Sequence, residues 1–314
     1  MTAAREPVPV EAPTERRHPG TLDLDLLPTP DLLRLINSED ALVATAVEAA
    51  LPAVASAVGL AVTALSAGGS VHYFGAGTSG RIAAMDAAEL PPTFGLAPGR
   101  FVAHHAGGAD ALDTALENVE DDGDSGAVDA GELSPGDVAV GLTASGRTPY
   151  VAGALREARR VGAHTVLVSA NPAAELATLA DVHICAETGP EVLAGSTRMK
   201  AGTAQKLVLN TFSTATMVRL GHTYSNLMTS VVAKNAKLHG RMVGILGEAS
   251  GRDLDTCARV LRDSGGDLKL ALVRLLGDVD AERARTALDA ADGVIRAALH
   301  HLDSDLPTIP SRDH

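Results

Sequence analysis

Residues 75 to 80 read Gly-Ala-Gly-Thr-Ser-Gly, a literal G-x-G-x-x-G placed after the apolar run Val71 to Phe74 and at the start of a helical pattern. Glycines in such a loop let the backbone approach a phosphate, and the helix start offers N–H groups that lack partners. A dinucleotide site also needs an acidic residue about twenty positions on, at the end of the next strand, to hold the ribose hydroxyls. That strand reads Arg100-Phe101-Val102-Ala103 and runs into His104, His105, Ala106, Gly107 and Gly108, with no carboxylate. Thr78 and Ser79 stand beside Gly80 inside the loop and Arg81 follows directly, so hydroxyls, backbone N–H groups and a helix start converge on one anion. A small phosphorylated ligand fits better than NAD. The NAD reading stays as an alternative that a nucleotide titration would test.

A second loop of the same kind follows the third strand pattern: Leu142-Thr143-Ala144-Ser145-Gly146-Arg147-Thr148-Pro149-Tyr150, with Pro149 suited to a first helical turn. Thr143, Ser145, Gly146 and Thr148 would complete a phosphate cradle begun by Thr78, Ser79 and Gly80. Taken singly, each loop also reads as a tight turn with a Ser or Thr cap. A third segment, Gly195 to Lys206, sets Ser196, Thr197, Arg198, Lys200 and Thr203 at another helix start, where a capped helix with a solvated basic face is the plainer reading. Cys185 and Cys257 have no ligand spacing, and Asp121-Asp122-Gly123-Asp124 fails the calcium-loop pattern. Neither cofactor nor metal is expected.

The elements that must carry these loops alternate. Strands are expected at 71–74, 100–103, 137–142, 165–169 and 182–185, with helices from about 78 and over 109–119, 148–161 and 173–180 between them. Short apolar strands separated by helices imply right-handed crossovers and a parallel sheet covered on both faces. Helices are expected earlier at 31–36 and 39–67, and later at 200–220, 227–247, 253–262, 267–276 and 281–302. The fold class is therefore α/β, a doubly wound five-stranded parallel sheet with flanking helices and a small C-terminal helical bundle. Its divisions are an extended N-terminal arm over 1–30, the sheet domain over 31–247, the bundle over 248–304 and a loose tail over 305–314. Ligands of such sheets sit beyond the C-terminal strand ends, where both hydroxyl loops fall.

Composition narrows the partners. A formal net charge of -13 repels nucleic acid and anionic membranes at long range, and three Tyr, four Phe and no Trp leave few stacking platforms for bases. The first 20 residues lack the apolar core of a signal peptide, and the apolar stretch from Ala49 to Leu65, interrupted by Pro52, reads as a buried helix. A cytoplasmic protein with a small-molecule partner is expected.

Several segments in order carry a more specific resemblance: Thr14-Glu15-Arg16-Arg17, Gly75 to Arg81, Asp86-Ala87-Ala88-Glu89-Leu90-Pro91-Pro92-Thr93, Glu117-Asn118-Val119-Glu120-Asp121, Ala144 to Tyr150 and Ser196 to Asn210. From about residue 14 to 300 the chain resembles the N-acetylmuramic acid 6-phosphate etherases, a family within the sugar isomerase (SIS) phosphosugar-binding superfamily. The resemblance implies a homodimeric lyase that releases D-lactate from the sugar phosphate and leaves N-acetylglucosamine 6-phosphate. It also implies that hydroxyls at Ser79, Thr143, Ser145 and Thr148 hold the phosphate and that Glu89 and Glu120 serve as the acid and base. Cleavage of an ether beta to a carbonyl asks for such a pair, one group to take the C2 proton and one to protonate the departing lactate oxygen. A sugar phosphate isomerase would share the loops without releasing lactate. A non-catalytic sensor such as the glucokinase regulatory protein could keep the loops and lose the carboxylates. One departure stands out: His18 occupies the position after Arg17 where the etherase pattern has Asn. Since a helix over 78–88 would carry Glu89 roughly 15 Å from the phosphate loop, active sites at the dimer interface are expected, with at least one carboxylate donated by the neighbouring subunit.

Overall fold

The computed structural model describes residues 12–114, 116, 118–230 and 236–304; the tail expected at 305–314, the first part of the arm and Glu117 lie outside them. Contacts divide the chain into two compact units, Met1–Ala88 with Gly99–Thr216 and Glu89–Pro98 with Met217–His314.

In the first unit, three short 3-10 turns over Pro13–Glu15, Pro19–Thr21 and Leu24–Leu26 lead into helices α1 (Thr29–Asp40) and α2 (Val43–Ser66). One face of α2, including Val43, Val47, Val54, Val58 and Leu65, is buried, and its contacts are with the sheet. None of the twelve residues of α1 is buried. The alternating part follows as β1 (Val71–Gly75), α3 (Gly77–Phe94), β2 (Phe101–His105), α4 (Asp110–Asp113), α5 (Gly123–Asp129), β3 (Val138–Leu142), α6 (Pro149–Val161), β4 (His164–Ser169), β5 (Val182–Cys185) and α7 (Lys200–Arg219), with α3 from Glu89 and α7 from Met217 counted in the second unit. The five strands are parallel in the order β2-β1-β3-β4-β5. The chain leaves β1 toward one edge and returns to β3 on its other side, so the switch point lies between β1 and β3. Their register sets Gly75 opposite Leu142, and both hydroxyl loops therefore leave the sheet side by side.

Two expected helices in this unit take another form. The pattern at 109–119 gives only α4, because the chain folds back after Thr114 to set Leu116 and Val119 against Gly107; a straight helix from 109 could not return them there. The pattern at 173–180 gives a 3-10 turn, Glu175–Leu179, in which the Leu176 N–H donates to the Gly146 carbonyl at 3.1 Å. That bond ties the segment to the second hydroxyl loop rather than to an α-helical ladder of its own.

In the second unit, β6 (Thr223–Tyr224) and β7 (Leu227–Met228) form an antiparallel pair across Ser225 and Asn226, with Ser225 in the left-handed region at φ 53°. The helix expected over 227–247 is thus a hairpin followed by α8 (Ala236–Ser250), the short polar turn having overridden the helical pattern. Helices α9 (Leu254–Asp263), α10 (Leu268–Gly277), α11 (Ala281–Ala290) and α12 (Ile295–Ser304) complete the unit. The single helix expected over 281–302 is broken at Asp292 and Gly293, whose φ angles of 48° and 73° turn the chain. Leu246, Cys257, Leu261, Leu272 and Ala298 are among the buried residues of one shared core.

Asp253, Asp267 and Asp280 each accept the N–H three residues on, at 2.8, 3.0 and 2.9 Å, and so start α9, α10 and α11 in the same way. Such a cap satisfies one of the four donors a helix start leaves unpaired. Asp267→Ala should lower the stability of the helical unit by about 1 kcal/mol, with Asp267→Asn close to wild type, as read by urea unfolding.

Candidate active site

The first hydroxyl loop turns on two glycines that leave no room for a side chain. A Cβ on Gly75 would come within 2.7 Å of the Gly80 nitrogen, and one on Gly80 within 2.4 Å of the His105 ring. Strand, loop and helix start are therefore pressed together, with Gly77 at φ 53° making the turn between them. Thr78 and Ser79 sit half-buried in the first turn of α3. The Ser79 hydroxyl donates to Gln205 Oε1 at 2.9 Å. Gln205 is buried on α7 and was not singled out in the sequence, since nothing in its local pattern points across 126 positions of chain.

The second loop gathers its hydroxyls around one hub. Thr143 is 2% exposed; its Oγ1 lies 2.8 Å from Thr148 Oγ1 and 3.4 Å from Ser145 Oγ, and it accepts the Gly146 N–H at 3.2 Å. Gly146 turns at φ 77°, where a Cβ would meet Ala174 at 2.3 Å. Asn171, on the loop after β4, donates to the Ser145 carbonyl at 2.8 Å and braces the cradle from behind. Thr143, Ser145, Gly146 and Thr148 are thus brought together as the spacing predicts, on a loop beside that of Thr78, Ser79 and Gly80.

The nearby cations are engaged elsewhere. Arg81 Nε donates to the Leu112 carbonyl at 2.7 Å and its Nη2 to those of Ala111 and Thr114 at 2.8 and 3.3 Å. Arg81, expected to face an anion, instead closes the carbonyl end of α4, because that helix ends after one turn and leaves those acceptors exposed. Arg147 pairs with Glu175 at 2.8 Å. At the third segment, the buried Glu191 fills the start of α7 with its two oxygens, accepting the N–H groups of Lys200 and Ala201 at 3.0 Å each. Burial pushes the Glu191 carboxyl above its ordinary range, against the pull of those two N–H groups. Lys200, 2% exposed, holds Glu39 at 2.7 Å, and the second oxygen of Glu39 meets His18 Nε2 at 3.3 Å. The third segment is a capped structural helix, and the His18 departure places an imidazole in this ion-pair network.

The two carboxylates are exposed. Glu120 lies in a 3-10 turn, Val119–Asp121, entered through Asn118 at φ 64°. Glu89 lies on α3, at the residue where that helix passes into the second unit. One turn before it, the buried Asp86 accepts from Tyr73 Oη at 2.9 Å and Ser213 Oγ at 3.0 Å, which fixes the rotation of α3. Burial raises the Asp86 carboxyl above its usual value, and these two donors oppose the rise.

The chain matches the SIS domain over residues 112–215 and the glucokinase regulatory protein N-terminal SIS domain over 53–159. It is 63% identical to an N-acetylmuramic acid 6-phosphate etherase of Thermobifida fusca, over 85% of this chain and 88% of that one. The chain belongs to the N-acetylmuramic acid 6-phosphate etherase family. Further members are the etherases of Cutibacterium acnes, 49% identical over 92% of this chain and 95% of that one, and Klebsiella aerogenes, 50% identical over 91% and 96%. Against this etherase background the role of Arg81 is the clearest addition the structure makes: it ties the helix that carries the first hydroxyl loop to the segment leading to Glu120. Arg81→Ala should lower turnover about tenfold to a hundredfold, with a smaller change in KM, in steady-state kinetics on the family's sugar phosphate.

Proposed function

We propose that this chain cleaves the D-lactyl ether of N-acetylmuramic acid 6-phosphate, giving N-acetylglucosamine 6-phosphate and D-lactate during recycling of cell-wall amino sugars. The observation that carries the reading is the pair of hydroxyl loops on adjacent strands, Thr78 and Ser79 beside the Thr143 hub, in an etherase-family chain that retains both Glu89 and Glu120. The loops bind the phosphate through Thr78, Ser79, Gly80, Thr143, Ser145, Gly146 and Thr148.

Chemistry then follows at the other end of the sugar. In the ring-opened aldehyde the C2 proton is acidic; Glu120 removes it, the C3–O bond breaks, and Glu89 gives its proton to the lactate oxygen. Water adds to C3 of the resulting unsaturated aldehyde while C2 regains a proton, with the two carboxylates in reversed roles, so atoms and protons balance over the cycle. The reaction makes the protein a carbon–oxygen lyase. Its substrate, a charged metabolite, places it in the cytoplasm.

The working form is a homodimer whose sites lie at the interface, with one carboxylate supplied by each subunit. Supporting this, α1 buries none of its residues within the chain, and Leu22, Leu26, Leu33 and Leu42 around it are all more than half exposed. A second copy would remove that apolar surface from water.

Incubation with N-acetylmuramic acid 6-phosphate should release D-lactate; folded protein that releases none would refute the assignment. Glu89→Gln and Glu120→Gln should each lose ~10²-fold or more of the activity. Mixing the two variants should restore activity at one site of each mixed dimer, whereas no recovery after confirmed subunit exchange would place both carboxylates in one chain.

A further inference from the structure

A cluster outside the cradle is built from three residues that the etherase chemistry does not use. His72 on β1 and His104 on β2 face one another across the strand pair, with His72 Nδ1 2.9 Å from His104 Nε2. Their rings are nearly parallel, 11° apart, and Phe74 stacks on the outer side of His104 at 4.6 Å. Glu132, in the 3-10 turn Ala130–Glu132, brings a carboxylate oxygen so close that it and the two ring nitrogens all lie within 4.8 Å of one another. His72 is 4% exposed, His104 half-buried and Glu132 exposed, so the group is anchored in the sheet and open on one side.

We propose that His72, His104 and Glu132 form a binding site for a divalent cation of the zinc type, separate from the phosphosugar site. Three features favour a metal over a mere hydrogen-bonded pair. First, the ring of His72 is oriented from behind: its Nε2 lies 2.9 Å from Ser70 Oγ, an outer partner that holds the ring with Nδ1 toward His104 and can accept the Nε2 proton when Nδ1 binds an ion. Second, two imidazoles and one carboxylate, with no thiolate, are the donor set of open zinc sites and leave a fourth position for water. Third, the facing nitrogens need to separate only from 2.9 Å to ~3.3 Å to take a tetrahedral ion at about 2.0–2.1 Å from each.

The proton balance is simple. In the free protein the two facing nitrogens share one proton; on coordination that proton moves through solvent to the other nitrogen of the ring that carries it, and both rings stay neutral. Burial already disfavours the charged form of both, lowering His72 to about 4. A bound ion would cross-link the edge strand β2, its neighbour β1 and the turn before β3, and would add to stability in proportion to ion concentration.

The test is titration of chelator-stripped protein with CoCl2 and ZnCl2, read by calorimetry, by the visible spectrum of Co2+ and by the melting temperature. One ion per chain should bind and raise the melting temperature. Glu132→Gln, a change at an exposed position, and Ser70→Ala should each weaken binding about 10–100-fold, and His104→Leu should abolish it. D-lactate release should be unchanged by Glu132→Gln. Wild-type protein that binds no ion, or variants that bind as tightly as wild type, would overturn the proposal.

Discussion

The register between β1 and β3 governs the ligand end of this protein. Setting Gly75 opposite Leu142 makes the Thr78–Ser79 loop and the Thr143 loop leave the sheet as neighbours. A slip of one residue would turn every side chain of β1 to the opposite face, setting His72 and Phe74 in place of Tyr73 against Phe101 and Phe212. The register is held on one side by Tyr73, which packs against Phe101 and Phe212 and donates to Asp86, and on the other by Phe74 in the core around α6. Asp137 adds a polar lock, accepting the N–H groups of Ser70 and Ser134 at 2.7 and 2.8 Å just ahead of both strands. Packing below the loops and hydrogen bonds before the strands thus fix what the hydroxyls above them can reach.

Much of this was legible in the chain. Short β-branched and apolar runs such as Val166-Leu167-Val168 lie in the middle of strands as read, because burial on both faces leaves little alternative. The glycine and hydroxyl spacing of both loops also survived intact, since tight turns are encoded locally. What escaped was non-local. Arg81 looked like part of an anion site, yet its partners are carbonyls thirty or more positions away, exposed only because α4 ends after one turn. Gln205 and Asn171 act on the cradle through side chains whose targets depend on the packing of whole helices and loops. The breaks at Ser225 and at Asp292-Gly293 were in the sequence as turn residues, but helical periodicity on either side outweighed them.

The third segment shows how a helix start is withdrawn from ligand duty. Its donors would bind an anion if left open, but Glu191 is already there, supplied by the chain itself. Lys200 is likewise consumed by Glu39, whose second oxygen reaches His18 in the N-terminal arm. In a region that looks basic and hydroxyl-rich in the sequence, Glu191 and Lys200 are thus spent on fixing α7, and with it Gln205, behind Ser79.

The same accounting removes Arg81 and Arg147, the arginines next to the two hydroxyl loops, from the proposed cradle. Its hydroxyls are neutral, they bond to one another when the site is free, and Arg81 and Arg147 are held by carbonyls and by Glu175. A phosphate dianion held there as proposed would exchange hydroxyl–hydroxyl bonds for hydroxyl–phosphate bonds. Binding of this sort is weakly screened by ionic strength. It also lets product phosphate depart without breaking a salt bridge, which suits an enzyme whose substrate and product carry the same anchor and differ only at C3.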